Sequence, residues 1–169
     1  MPIRGLNHAV LFVRDAQRSA AFYRDVLGFR EIVSMPNAVF MRAPDSDNDH
    51  DLGLFGIGDA AVASPAGRSS VGLYHLAWEV PTLADLADHR VRLAEAGALV
   101  GASDHGTTKA LYAKDPDGLE FEVSWLVPHE LIGDDMETST LPLDLDAEIE
   151  RYGADRMGAL SRIPGTARA

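Results

Sequence analysis

The sequence predicts an α+β fold: two paired βαβββ modules forming a curved mixed-sheet cleft, followed by a C-terminal helical tail. Three observations predict it. Strand-like and helix-like patterns recur in the same order over residues 4–58 and 71–127. In each half a histidine in the opening strand precedes the glycine that ends the next helix by nearly the same distance, 20 residues from His8 to Gly28 and 22 from His75 to Gly97. In the last strand, apolar Phe121, Val123 and Trp125 alternate with polar Glu120, Glu122 and Ser124. That period of two belongs to a sheet with one face under a helix and the other lining a polar cleft.

The elements follow in order. Residues 6–13 read as a strand with Leu6, His8, Val10 and Phe12 on one face. Asp15 is placed to cap a helix over 16–27, with Ala20, Tyr23 and Leu27 at helical spacing and Gly28 at its left-handed end. Short strands are expected at 29–34, 38–42 and 51–57. A loop over 59–70, rich in Ala, Ser, Pro and Gly, separates the repeats. A strand at 73–80 carries His75. Thr82-Leu-Ala-Asp85 resembles a capping box with Asp in place of Glu, opening a helix with Leu83, Leu86, Arg90 and Leu93 on one side. Gly97 ends it, and strands follow near 98–102, 108–114 and 119–126.

Residues 4–127 therefore read as one domain of two modules, and 128–169 as a tail. Within the tail, 134–140 is polar, Leu141-Pro-Leu-Asp-Leu leads into a helix near 147–152, and the last segment, rich in Gly, Ala and Arg, is expected to fray. The tail reads as an appendage that packs on the module or on a partner subunit, with no chemistry assigned to it.

Charge narrows the function. Lys and Arg number 15 against 26 Asp and Glu, a net −11 with a pI near 4.8. That argues against a general nucleic-acid surface, which needs clustered positive charge. An anionic substrate stays open, because a metal ion dominates its local field. There is no cysteine, so disulfides and thiolate metal sites are excluded. The first residues lack the pattern of a secretion signal, and no apolar run approaches the roughly 20 residues of a membrane helix. A soluble cytoplasmic protein that binds no membrane is the expectation.

His8, His75 and Glu122 are the candidate metal ligands. Taken singly, either histidine reads as an ordinary buried, hydrogen-bonded side chain. Together they occupy equivalent positions of a repeated unit, and Glu122 follows the Asp115-Pro-Asp-Gly118 turn by four residues on the polar strand face. Two histidines and a carboxylate form the facial set that holds a divalent ion with positions left open. On residue type alone His50 reads as part of a polar loop, His105 as a solvated loop residue, and Tyr112 as a strand aromatic. His89 and His129 read as a helix-surface and a tail residue.

These spans resemble the vicinal oxygen chelate superfamily, built from paired βαβββ modules. Asp104-His-Gly-Thr-Thr-Lys-Ala-Leu-Tyr-Ala-Lys-Asp-Pro-Asp-Gly-Leu-Glu-Phe-Glu122 is similar to the signature segment of type I extradiol ring-cleaving dioxygenases. The resemblance covers about residues 4 to 127. It implies His8, His75 and Glu122 as metal ligands, His105 and Tyr112 as catalytic residues, and His50 as the pocket histidine beside the oxygen site. Two features depart from the common pattern: many such enzymes have four modules, and Leu-Glu-Phe-Glu follows the turn where a Gly-Asn version is commoner. Both leave substrate size open.

The activity implied is cleavage of a catechol-type ring with O2, with Fe(II) as cofactor and Mn(II) as second choice. Zn suits the ligands but has no redox chemistry. Tyr112 would hydrogen-bond the substrate, and His105 would hold a hydroxyl or move a proton. A homodimer or higher homo-oligomer is expected. The same fold also serves glyoxalase-like lyases and isomerases, fosfomycin-type thiol transferases and metal-free drug-binding resistance proteins. His50 and Tyr112 favour dioxygen chemistry over the first two. The retained ligand set favours an enzyme over the third.

Overall fold

The computed structural model describes residues 3, 5–66, 69–133 and 139–159. The chain divides into two compact units, Met1–Ser64 with Pro116–Gly118, and Pro65–Asp115 with Leu119–Ala169. Each unit holds one βαβββ repeat, as the spacing of histidines and glycines predicts. No helix among the described residues is long and apolar enough to cross a membrane.

In the first unit the order is β1 (Ala9–Val13), α1 (Ala16–Leu27), β2 (Arg30–Met35), β3 (Ala38–Arg42) and β4 (Leu52–Gly56). The sheet runs β1-β4-β3-β2, with β1 parallel to β4 and the other pairs antiparallel. Asp15 caps α1 by accepting from the backbone N–H groups of Gln17 and Arg18 at 2.8 and 3.0 Å. Gly28 ends it at φ 76°, a left-handed conformation that side chains with a Cβ resist. The buried side of α1 (Ala16, Ala20, Tyr23, Leu27) belongs to the same core as Val39, Met41, Leu52 and Leu54. In β1 the core residues are Leu11 and Val13, whereas Val10 and Phe12 are exposed. The predicted face carrying His8 thus points away from the core.

The second unit repeats the plan with β5 (His75–Glu79), α2 (Leu83–Glu95), β6 (Leu99–Asp104), β7 (Thr108–Lys114) and β8 (Glu120–Leu126). The predicted capping box is present: Thr82 Oγ1 accepts from the Asp85 N–H, and the Asp85 carboxylate accepts from the Thr82 N–H, both at 3.1 Å. Leu83, Leu86 and Leu93 of α2 are fully buried, as are Leu111 of β7 and Trp125 of β8, with Phe121 and Val123 almost so. Burial of one face of β8 under a helix matches its alternation.

Strand pairing begins later than the apolar pattern suggests. The parallel ladder of the first unit opens at Ala9 opposite Leu52, with the Ala9 N–H donating to the Asp51 carbonyl at 2.9 Å. His8 therefore sits one residue before β1, and His75 is the first residue of β5. Both stand at the start of the first strand of their sheets, His75 already paired with Glu120.

The tail is more than an appendage. A two-residue strand β9 (Leu141–Pro142) joins the edge of the second sheet, giving the order β5-β8-β7-β6-β9, with Asp104 opposite Leu141. A further helix α3 (Leu145–Tyr152) buries Leu145. Trp125 donates its indole N–H to the Arg156 carbonyl at 3.1 Å. At Gly158 a Cβ would lie 2.8 Å from the Leu126 carbonyl oxygen, so the chain passes there only as glycine. Lys109 is buried in this region, its ammonium 2.6 Å from Asp104 and 2.9 Å from Glu148 of α3. A buried cation needs such partners, because an isolated one costs several kcal/mol or more. Of the last segment, expected to fray, 153–159 is described and packs as above, while 160–169 lies outside the described residues, as do 134–138 of the polar stretch.

Candidate active site

In the first unit His8 and His50 come together, their ring centroids 4.5 Å apart. His50 precedes β4 on a loop that runs from the end of β3. The buried carboxylate of Asp51 shapes that loop: it accepts from the Ala43 N–H at 2.9 Å, the Ser46 hydroxyl at 2.9 Å and the Asn48 amide at 2.7 Å. Asn48 also donates to the Asn7 carbonyl at 2.9 Å, tying the loop to the residue before His8. The His50 ring stands edge-on to Phe40 at 5.1 Å, and Phe40 packs in turn on Phe55 at 5.7 Å. Each histidine has a local partner at Nδ1, Asn7 Oδ1 for His8 at 2.8 Å and Asp49 Oδ2 for His50 at 2.9 Å. In both, Nε2 is the nitrogen left for another task. Val10 and Phe12 extend an exposed apolar surface on the same strand.

In the second unit His75, Glu122, Tyr112 and His105 form a continuous array on one face of the sheet. Register creates it. Glu122 of β8 lies opposite Ala77 of β5 on one side and Tyr112 of β7 on the other. Ala77 contributes only a methyl group, and His75, two residues earlier on the same face, reaches Glu122 with Nε2–Oε2 at 3.3 Å. The His75 ring also contacts Tyr74 at 4.6 Å and Tyr112 at 5.8 Å between centroids. Tyr112 Oη stands 2.8 Å from His105 Nε2, and His105 Nδ1 stands 2.9 Å from the Ser139 carbonyl.

The Tyr112 phenol is pushed up from 10.0 to about 12, first by burial and then by the negative charge of Glu122. It therefore keeps its proton at neutral pH and acts as a hydrogen-bond donor. Glu122 is itself buried. A buried carboxylate needs a cationic or hydrogen-bonding partner, and His75 supplies one.

These donors suit a cation. Ligands bound at 2.0–2.2 Å on adjacent positions of one ion lie about 3 Å apart. The spacing between His75 Nε2 and Glu122 Oε2 is 3.3 Å, which fits either a shared proton or a shared metal. His75 Nδ1 is buried without a hydrogen-bond partner among the described residues. His8, the third predicted ligand, belongs to the first unit. Among the described residues no group of three or more His, Asp or Glu side chains is gathered for a metal ion. His50 is with His8; His105 and Tyr112 are with Glu122 and His75. His89 and His129 lie elsewhere, one bonded to the Asp85 carbonyl on α2 and one in a short 3-10 turn.

Sequence reasoning missed three supports: Asp51, Lys109 and the Ser139 carbonyl. Asp51 carried a signal, since Asn48-Asp-His-Asp51 is the kind of run whose short polar side chains bond to nearby backbone. The Lys109–Glu148 pair and the Ser139 carbonyl carried none, because those partners are remote in sequence.

The family model described as the Glyoxalase/Bleomycin resistance protein/Dioxygenase superfamily matches residues 5–123. A catechol-2,3-dioxygenase of Bacillus subtilis is 31% identical over 92% of this chain, which spans 54% of that protein's length. Biphenyl-2,3-diol 1,2-dioxygenase 3 of Rhodococcus globerulus is 32% identical over 80% of this chain and 74% of its own. A solved glyoxylase/bleomycin resistance protein/dioxygenase domain from Frankia sp. EAN1pec shares the fold, with a TM-score of 0.61 at 24% identity over 73% of this chain and 92% of that one. With the βαβββ repeat present twice and the family model covering most of its length, the chain belongs to the glyoxalase/bleomycin resistance protein/dioxygenase superfamily.

Proposed function

We propose that this chain is an extradiol-type dioxygenase that opens the ring of a catechol-type substrate with O2, using Fe(II) held by His8, His75 and Glu122. The observation that carries the reading is the array of His75, Glu122, Tyr112 and His105 on one sheet face, with contacts of 3.3 and 2.8 Å linking its members in pairs. The relatives named as catechol and biphenyl-diol dioxygenases support it.

When bound, Fe(II) would supply open positions for two vicinal oxygens and O2, and pass electron density between them. The protein residues do the rest. Tyr112, kept neutral by its surroundings, hydrogen-bonds an oxygen of the substrate through its hydroxyl. His105 takes or returns the hydroxyl proton through Tyr112, 2.8 Å away. His50, with Nε2 unengaged among the described residues and its ring beside His8, hydrogen-bonds a reacting oxygen. The exposed apolar side chains of Val10 and Phe12 favour an aromatic ring over a charged substrate.

The test is reconstitution with Fe(II) under anaerobic conditions, followed by mixing with catechol and 2,3-dihydroxybiphenyl in air. The expected result is a yellow ring-opened product with matching O2 uptake. Iron-loaded protein that consumes no O2 with either diol overturns the reading.

A further inference from the structure

His105 touches two groups of opposite hydrogen-bonding character. Its Nδ1 lies 2.9 Å from the Ser139 carbonyl oxygen, and its Nε2 lies 2.8 Å from Tyr112 Oη. A carbonyl oxygen only accepts, so Nδ1 must carry the proton. In the neutral ring Nε2 is then bare and can only accept, so in that contact the Tyr112 hydroxyl is the donor, with the Glu122 carboxylate as the other acceptor in its reach. Among the described residues Thr140 Oγ1 also approaches Nδ1, at 3.4 Å, too far to outweigh the carbonyl.

We propose that the strap of residues 139–152 is a positioning element whose Ser139 carbonyl locks His105 in the Nδ1–H tautomer and so fixes the direction of the His105–Tyr112 hydrogen bond. Without that carbonyl, a histidine in water favours the Nε2–H form. Such a ring would donate to Tyr112 and turn the phenol proton away from His105. The strap thus decides whether Tyr112 hands its proton toward His105 or points it elsewhere; the use of that proton in ring cleavage rests on the proposed dioxygenase reading.

The strap is stapled next to the hairpin that bears His105. β9 pairs with β6 so that Leu141 lies opposite Asp104, the residue before His105. Asp104 Oδ1 accepts from the Gly106 N–H at 2.8 Å, closing the turn around His105. The same oxygen lies 2.6 Å from the Lys109 ammonium, which reaches Glu148 of α3 at 2.9 Å. One buried cation therefore joins the turn to the strap from below. Among the described residues the side chains of Asp104, Lys109 and Glu148 bond to one another and to the Gly106 N–H rather than to the His105 ring or the Tyr112 hydroxyl, so they act through position alone.

The test is a two-bond proton–nitrogen correlation spectrum of the 169-residue chain labelled with nitrogen-15 at histidine, metal-free at about pH 8, where a histidine is mostly neutral. His105→Gln identifies the resonance. The expected result is the Nδ1–H tautomer in the unaltered chain, and its retention in Tyr112→Phe, which removes the phenol but leaves the carbonyl. Glu148→Ala, checked for folding by circular dichroism, is expected to raise the Nε2–H share of His105 several-fold. An Nε2–H ring in the unaltered chain, or a switch in Tyr112→Phe, overturns the proposal. An unchanged tautomer in folded Glu148→Ala overturns the role of the staple. If Glu148→Ala does not fold, the first two measurements still decide. No metal, substrate or turnover enters the readout, so its failure and a failure of ring cleavage are told apart.

Discussion

Tyr112 and Glu122 are direct cross-strand partners on the β7–β8 ladder, so a phenol and a buried carboxylate share one sheet face side by side. That pairing makes Tyr112 a donor and Glu122 an acceptor in the same small volume. Tyr112→Phe removes the hydroxyl and leaves the ring contacts with His75 and His105. The variant is expected to lose about 1 kcal/mol or less of stability, one hydrogen bond's worth. Turnover of a catechol should fall about a hundredfold or more, the ordinary scale of a proton-transfer group. Metal content, measured by elemental analysis, should not change.

The raised phenol sets an alkaline limit. Unfolded tyrosine ionises near 10.0 and Tyr112 in the folded chain near 12, so between these values the folded state holds the extra proton. Stability is unaffected by this group below pH 10 and falls as pH rises from about 10 toward 12. An ultraviolet titration of the four tyrosines should show a late phase near pH 12 that is missing in Tyr112→Phe. A Tyr112 without a late phase would show that neither burial nor the Glu122 charge raises it.

Removal of either member of the His75–Glu122 pair should cost metal. His75→Ala and Glu122→Ala are expected to copurify with little iron after dialysis, as is His8→Ala, while His105→Ala keeps it. Iron content that is equal across the four variants would remove the ligand assignment. Glu122→Ala should also lower the Tyr112 titration part of the way toward the ordinary value, because it takes away the neighbouring negative charge while burial remains.

Asp51 holds the His50 loop through three accepted hydrogen bonds. Asp51→Ala strands the Ala43 N–H, the Ser46 hydroxyl and the Asn48 amide, and is expected to cost about 2–3 kcal/mol, the scale for bonds to a charged acceptor. Urea unfolding measures it. Asp51→Asn, which still accepts, should recover much of the loss and most of the turnover.

What the sequence determined by itself was local or periodic. The Asp15 cap with Gly28 delimits α1, and Thr82 with Asp85 opens α2, because each signal lies within one helical turn of the group it satisfies. The boundaries of β3 and β7 were legible too, as short apolar stretches bounded by polar or turn residues. The repeat itself could be read, since it is written in spacing. Tertiary structure decided what depends on strand register and remote chain. The sequence placed Tyr112 and Glu122 ten residues apart, but only the β7–β8 ladder makes them partners, and a slip of one residue would have put them on opposite faces. The tail gave no sign that Ser139 would meet His105, 34 residues away, or that Lys109 would be buried against Glu148. Such contacts follow from how the second sheet closes on its own C-terminal strap, and no local pattern encodes that closure.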